Sequence, residues 1–355
     1  MRAWHPIAAI VGVLLVFGLV RAGWEWPPQE STQVGYRGTG MVQITDLKRY
    51  LDDTGARAGA EAIPAEIPPA PDGSPAATSQ FKNLKVLTDV SSAELLRVMT
   101  AITAWVSPQQ GCNYCHEGAD LASDAKYTKE VARRMIEMVR HINSDWKSHV
   151  LETGVTCYTC HRGNPVPTNT WHGSPGVRGA GGMAQQVPDQ NHPSALVGST
   201  SLPSDPYSDF LERKENVRVV SQTALPEGRG ASIQKTEDTY GLMMSISHGL
   251  GVNCTFCHNT RSFTTWEQSS PKRTLAWHGV RMVQDINVSY LDPLKPILPA
   301  DRLGPNGDVL KVSCATCHQG RSRPLGGVSM VQTYPELQGN GGATTQGNGG
   351  APQPQ

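Results

Sequence analysis

Apolar residues follow three patterns along this chain. Near the N-terminus they form a nearly unbroken run from Ile7 to Val20, flanked by Arg2 and Arg21. In two later regions they recur every three or four residues, the period of a helix with one buried face. The first such region opens with Ser91-x-x-Glu94, a capping box, and continues through Leu95, Leu96, Val98, Met99, Ile102 and Trp105. A longer helix is predicted from Tyr127 onward, with Val131, Met135, Met138, Ile142, Trp146 and His149 on one side. At 100° per residue Met135 and His149 would lie about 40° apart in azimuth and about 21 Å apart along the axis. One helix would then present both side chains to neighbouring sites. The second region predicts helices over Thr236 to Leu250 and, after a Ser270-Pro271 start, Leu275 to Val288.

Between these regions the pattern disappears. Gln33 to about Pro75 carries Pro-rich sequence such as Ile63-Pro64-Ala65-Glu66-Ile67-Pro68-Pro69, which excludes regular helix. Gly163 to about Asn216 is rich in Gly, Pro, Ser and Asn, and Gly339 to Gln355 is of low complexity. The predicted fold class is mainly α with long irregular segments. Its expected parts are an anchor at 1–26, an extended partner-contacting segment at 27–84, one unit at 85–163, an irregular connection at 164–230, a second unit at 231–332 and a disordered tail at 333–355.

The N-terminal run has two readings. Ile7 to Val20 has the length of a signal-peptide core, and Val20-Arg21-Ala22 is a passable cleavage site. Counted from Trp4 to Trp24 it makes about 31 Å of helix with tryptophan at both ends, enough to span a bilayer. An uncleaved transmembrane helix is the expectation.

Composition changes the picture of the core. Of 355 residues only 38% are hydrophobic, while glycine and proline number 36 and 26. That is a thin supply for two conventional cores. The 31 basic and 31 acidic side chains are scattered and balanced, which argues against nucleic acid as a partner.

The 8 cysteines account for the shortfall. All fall in Cys-x-x-Cys-His, at Cys112, Cys115, His116; Cys157, Cys160, His161; Cys254, Cys257, His258; and Cys314, Cys317, His318. In this signature two thiols add to the vinyl groups of a haem and the adjoining imidazole ligates its iron. Zinc sites of the Cys-x2-Cys type do not need a histidine after every second cysteine. Four covalent haems would consume every thiol, leaving none for a disulfide, and would furnish apolar interior. Their propionates would make the loaded chain acidic, steering a basic soluble partner toward it. Because such attachment takes place outside the cytoplasm, the chain beyond Arg21 is expected in the periplasm.

The two units look duplicated. Val155-Thr156-Cys157-Tyr158-Thr159-Cys160-His161-Arg162-Gly163 matches Val312-Ser313-Cys314-Ala315-Thr316-Cys317-His318-Gln319-Gly320, and Met138-Val139 with Ile142-Asn143 matches Met282-Val283 with Ile286-Asn287. An approximate twofold is expected. Met135 then falls opposite Gly279, so the fourth haem needs a ligand from elsewhere. Met99, Met135 and Met243, each on the helix before its own motif, are the candidate axial ligands. Met138 competes at the second site, Met244 and His248 at the third, and His278 or Met282 at the fourth. Met41, Met183, Met330, His141, His172 and His192 are read as bystanders.

With the Gly35-Tyr36-Arg37-Gly38-Thr39-Gly40-Met41 segment and the Gly154 to Gly163 stretch, this arrangement resembles the tetrahaem cytochrome c subunit of purple-bacterial photosynthetic reaction centres, from roughly Gln33 to Met330. The resemblance implies a multihaem cytochrome c with pseudo-twofold duplication. It also implies methionine ligands Met99, Met135 and Met243 for the haems on Cys112, Cys157 and Cys254, and His149 for the haem on Cys314. It implies electron transfer without chemical catalysis, from a soluble cytochrome c or high-potential iron-sulfur protein to a photo-oxidised bacteriochlorophyll pair, at the periplasmic face of the photosynthetic membrane. The implied haem order is first, second, fourth, third. Reaction-centre membrane subunits and a light-harvesting complex are the implied partners. Lipidation of an N-terminal cysteine, known in some members, has no cysteine here, so anchoring would rest on the helix. The alternative is a membrane-anchored tetrahaem quinol dehydrogenase.

Overall fold

A computed structural model describes residues 4–23, 29–33, 42–46, 62–175, 190, 194, 197, 200–219 and 233–339. The Gly35 to Met41 segment, Met183, His192 and residues 340–355 lie outside them. Helices of one to five turns joined by long irregular stretches make up most of the fold. The one sheet among the described residues is a hairpin, Gln29–Gln33 (β1) antiparallel to Val42–Asp46 (β2). β2 lies against the turn at Cys254–Phe256.

Helix α1 spans Trp4–Gly23. Its side chains are described from 9 to 21, where Ile10, Val13, Leu14, Phe17 and Leu19 are exposed. Among the described residues no helix is long and apolar enough to cross a membrane, so the expected transmembrane span is not met there.

After one turn at Ala77–Gln80 (α2), helix α3 (Ser92–Val106) starts at the predicted capping box. The Ser91 amide donates to Glu94 Oε2 at 2.8 Å, and the Glu94 amide donates to Ser91 Oγ at 3.2 Å. Leu95, Val98, Ala101 and Trp105 face inward at helical spacing and form the first core with Tyr158 and residues returning from the far end of the chain. Among these, Tyr334 meets Trp105 edge to face with centroids 4.7 Å apart. Beneath them Arg97 pairs with Glu336 at 3.2 Å, both side chains 5% exposed. Its Nε donates to the carbonyls of Ile67 and Pro68, and its guanidinium covers the Tyr334 ring. A buried ion pair is tolerated when added hydrogen bonds offset desolvation, as here.

This core corrects two expected boundaries. Ile63, Ile67, Phe81 and Leu84 pack on it, so the later part of the supposed partner-contacting segment belongs to the globule. Residues 333–339, assigned to a disordered tail, are also folded, with Leu337 fully buried. The 164–230 connection likewise holds core: Phe210 and Leu211 are fully buried, packed with Trp171, Tyr207, Leu242 and Val283.

Helix α4 (Tyr127–Asp145) does not reach His149. Trp146 leaves helical geometry at φ −107°, ψ 27°, its indole NH donating to Asp285 at 3.0 Å, and His149 sits in a separate turn, Lys147–Val150 (α5). The single-helix placement of Met135 and His149 is therefore wrong. A cross-half hydrogen bond to Trp146 holds the chain where the apolar period alone would have continued the helix. The remaining helices are α6 (Cys157–His161), α7 (Ile233–Leu250), α8 (Pro271–Asp285) and α9 (Cys314–His318). Helix α8 starts as read, Ser270 Oγ accepting from the Lys272 amide, and runs on through Ile286–Leu291 with π-helical bonding. A second core joins the two halves: Ile142 with Met282, Ile286, Leu291, Leu294 and Val309.

Candidate functional site

The second and fourth Cys-x-x-Cys-His motifs are the short helices α6 and α9 themselves. In each, a threonine before the second cysteine closes the N-terminus: Thr159 Oγ1 accepts from the Thr156 amide at 3.0 Å, and Thr316 Oγ1 from the Ser313 amide at 2.9 Å. Each helix stops at a left-handed residue, Arg162 or Gln319, followed by a glycine at φ +80°. Cys157 is buried and Cys314 half-buried. Burial pushes their thiols up to about 12 and about 11.

The first and third motifs fold otherwise. Tyr114 and Phe256 occupy the position of those threonines, and the chain makes 3-10 turns, Gly111–Tyr114 and Cys254–Phe256. A tight turn follows each, bridged between Glu117 and Asp120 or between Asn259 and Ser262. Cys112 and Cys254 are exposed.

All four motif histidines are oriented alike. Nδ1 of His116 contacts the Leu121 carbonyl at 3.1 Å, that of His258 the Phe263 carbonyl at 2.9 Å, that of His161 the Asn164 carbonyl at 2.9 Å and that of His318 the Arg321 carbonyl at 2.8 Å. A carbonyl at Nδ1 fixes the proton there and leaves Nε2 as a free lone pair, the arrangement that metal-ligating histidines use. Burial lowers the pKa of His161 and His258, and takes that of His318 down to about 4. Burial thus favours in these three the neutral form that metal ligation requires.

A fifth histidine joins them. His149 Nδ1 contacts the Leu275 carbonyl at 2.8 Å, burial lowers its pKa, and its ring lies on Gly279. A Cβ at Gly279 would stand 2.6 Å from His149 Cε1, so only glycine admits the ring. The ring centroids of His149 and His318 are 6.0 Å apart. Two imidazoles on opposite faces of one metal ion, with bonds of about 2 Å, have centroids roughly that far apart. The pair fits a single iron.

Met99, Met135 and His149 line a continuous cavity of about 1280 Å³ together with Cys112, Cys115, His116, Cys157, Cys160, His161, Cys314, Cys317 and His318. Its walls are mostly apolar, as a porphyrin needs. Met138 and Met282 also touch it, while packing in the second core. At the third motif the structure does not bring the predicted set into this cavity: Met243 packs beside Trp171 and Phe210, Cys254, Cys257 and His258 lie apart, and His248 is exposed. His278 meets Trp277 edge to face. Of the bystanders, Met330 is buried and accepts a hydrogen bond from Thr156, and His141 bridges Asp145 and Asp285.

Cys160 and Cys317 are joined in a disulfide, although every thiol was assigned to haem attachment. The two motif helices pack together and bring their second cysteines to a Cα separation of 4.3 Å. Sequence spacing says nothing about two residues 157 apart meeting in space. A thioether at either sulfur requires this bond to be open. Sequence reading also passed over the capping threonines, whose signal was the contrast of Thr159 and Thr316 with Tyr114 and Phe256.

A family described as photosynthetic reaction centre cytochrome C subunit matches residues 25–338. The chain belongs to that family. It is 48% identical to the photosynthetic reaction center cytochrome c subunit of Thermochromatium tepidum over 92% of this chain and 79% of that one. With the same subunit of Rubrivivax gelatinosus it shares 47% over 89% and 85%, and with that of Roseobacter denitrificans 40% over 93% and 92%. Membership makes it a mainly helical cytochrome with covalently bound haem c, an electron carrier rather than a classical enzyme.

Proposed function

We propose that this family member holds four haem c groups and carries electrons from a soluble periplasmic donor, a small cytochrome c or a high-potential iron-sulfur protein, to the photo-oxidised bacteriochlorophyll pair of a reaction centre. The relatives bear the name of that complex. The observation that carries the reading is His149 seated on Gly279 and facing His318 across 6.0 Å. A second histidine would close that iron to substrate, and the match to reaction-centre cytochrome subunits disfavours the quinol dehydrogenase alternative.

Haem, when bound, supplies a one-electron iron couple at each motif. The chain does the rest. Cys112, Cys115, Cys157, Cys160, Cys254, Cys257, Cys314 and Cys317 would anchor the macrocycles, Cys160 and Cys317 as free thiols rather than as the disulfide. His116, His161, His258 and His318 would each hold one haem iron. Met99, Met135 and His149, and Met243 by the resemblance alone, would supply the second ligands, a thioether favouring the reduced state and a second imidazole lowering the potential.

Matching local geometry in α6 and α9, and in the two 3-10 turns, supports internal duplication about an approximate twofold. Contact between the second and fourth motifs supports the order first, second, fourth, third. The β1–β2 hairpin, a few residues beyond α1, lies against the third motif and supports that motif as the one nearest the membrane. Family membership supports a place at the periplasmic face of the membrane, beside the reaction-centre subunits and light-harvesting complex. The test is a redox titration of the purified subunit, resolved by haem. Three high potentials and one low one are expected, and four low potentials would refute the assignment.

A further inference from the structure

Two buried asparagines repeat in the two halves, and neither carries a haem-binding group. Asn143 is 5% exposed and Asn287 fully buried. Asn143 Oδ1 accepts from the Val155 amide at 2.8 Å, and its Nδ2 donates to the Val155 carbonyl at 2.9 Å and to the Leu337 carbonyl at 2.8 Å. Asn287 Oδ1 accepts from the Val312 amide at 2.9 Å, and its Nδ2 donates at 3.1 Å to the carbonyls of Val312 and Leu211. Each side-chain amide thus pairs with both polar groups of one peptide residue, as a neighbouring strand would.

The register of these clamps bears on the site. Val155 and Val312 each stand two residues before the first cysteine of a motif, Cys157 or Cys314. Asn143 lies eight residues beyond Met135, and Asn287 eight beyond Gly279, the seat of His149. In each half, therefore, the clamp ties the helix that presents or seats the distal ligand to the segment that carries the proximal histidine. Those are the two bodies whose separation sets the distance between the axial ligands of one iron.

We propose that Asn143 and Asn287 are positioning residues that set the axial spacing of the second and fourth haem sites, each acting on its own site alone. This rests on the four-haem reading. Asparagine is required because it alone offers a donor and an acceptor at this reach. Aspartate keeps the acceptor but turns a charge toward two carbonyls, leucine keeps the volume and neither bond, and glutamine keeps both groups one methylene too far.

The experiment compares Asn143→Leu, Asn143→Gln, Asn287→Leu and Asn287→Gln in the haem-loaded subunit, read by haem-resolved redox titration and by the thioether-to-ferric-iron charge-transfer absorption. Asn143→Leu is expected to change the reduced-to-oxidised ratio of the second haem at least threefold at its wild-type midpoint and to weaken its thioether band. Asn287→Leu is expected to change the fourth haem to a similar degree and leave the thioether bands intact. Glutamine should restore part of each effect, and it keeps the test open if leucine prevents folding. Unchanged potentials with a lowered melting temperature, or all four haems shifting together, would overturn the proposal. A wild-type subunit with fewer than four haems by intact mass would instead refute the site reading on which it rests.

Discussion

The inner motifs, second and fourth, and the outer motifs, first and third, share one signature and differ in how the chain folds around it. Inside, Thr159 and Thr316 close the helix start and the motif is a capped helical turn, its histidine held by a carbonyl three residues on. Outside, Tyr114 and Phe256 have no hydroxyl at that place, the turn is 3-10, and the histidine is held by a carbonyl five residues on, beyond a bridged turn. Both solutions leave Nε2 free. A haem motif thus specifies the ligand chemistry, while the residue before its second cysteine selects the local fold. The inner fold buries its motifs where the halves meet; the outer fold leaves Cys112 and Cys254 at the surface.

The strongest way to break this contrast is at the junction. Gly279→Val places side-chain atoms inside the His149 ring and should displace it, converting one of the four haems to high spin and costing about 1–3 kcal/mol in stability. Optical and electron-paramagnetic spectra check the first effect, and thermal melting the second. Retention of four low-spin haems would mean that His149 has no place in ligation.

Smaller effects sharpen the contrast. Thr159→Val and Thr316→Val remove the inner caps and should each lower stability by about 1 kcal/mol in chemical denaturation. Tyr114→Phe, at the corresponding outer position, removes no cap, only the phenol's hydrogen bond with the exposed Arg302, and should cost less.

The smallest effect concerns His141, which binds Asp285 at 2.7 Å and Asp145 at 2.8 Å. The Asp285 hydrogen bond raises its pKa against the opposing effect of burial. Because the folded value lies above the unfolded one, the stabilisation is complete below about pH 6.5 and fades as pH rises through the folded value. The melting-temperature difference between wild type and His141→Gln should therefore shrink toward alkaline pH, from roughly 1–2 °C. A difference independent of pH would remove the charge from the explanation.

Much of this was legible in the chain. The capping box at Ser91 and the start at Ser270 appear where their residues predict, because each rests on contacts within one turn. The missing methionine opposite Met135 left Gly279 bare, and there His149 lies. What could not be read depends on contacts across the sequence. Helix α4 breaks at Trp146 because Asp285, in the other half, takes its indole proton. Residues 333–339 fold because Arg97 and Trp105 await Glu336 and Tyr334. The meeting of Cys160 with Cys317 arises from packing of the inner helices, which no spacing rule describes.

The central claim is that a histidine from the first half closes the iron held by the fourth motif. A high-resolution cryo-electron microscopy map of the haem-loaded subunit tests it most directly. The account predicts continuous density from the His149 ring, through the iron of the haem on Cys314 and Cys317, to His318. Another side chain or a solvent molecule opposite His318 would contradict it.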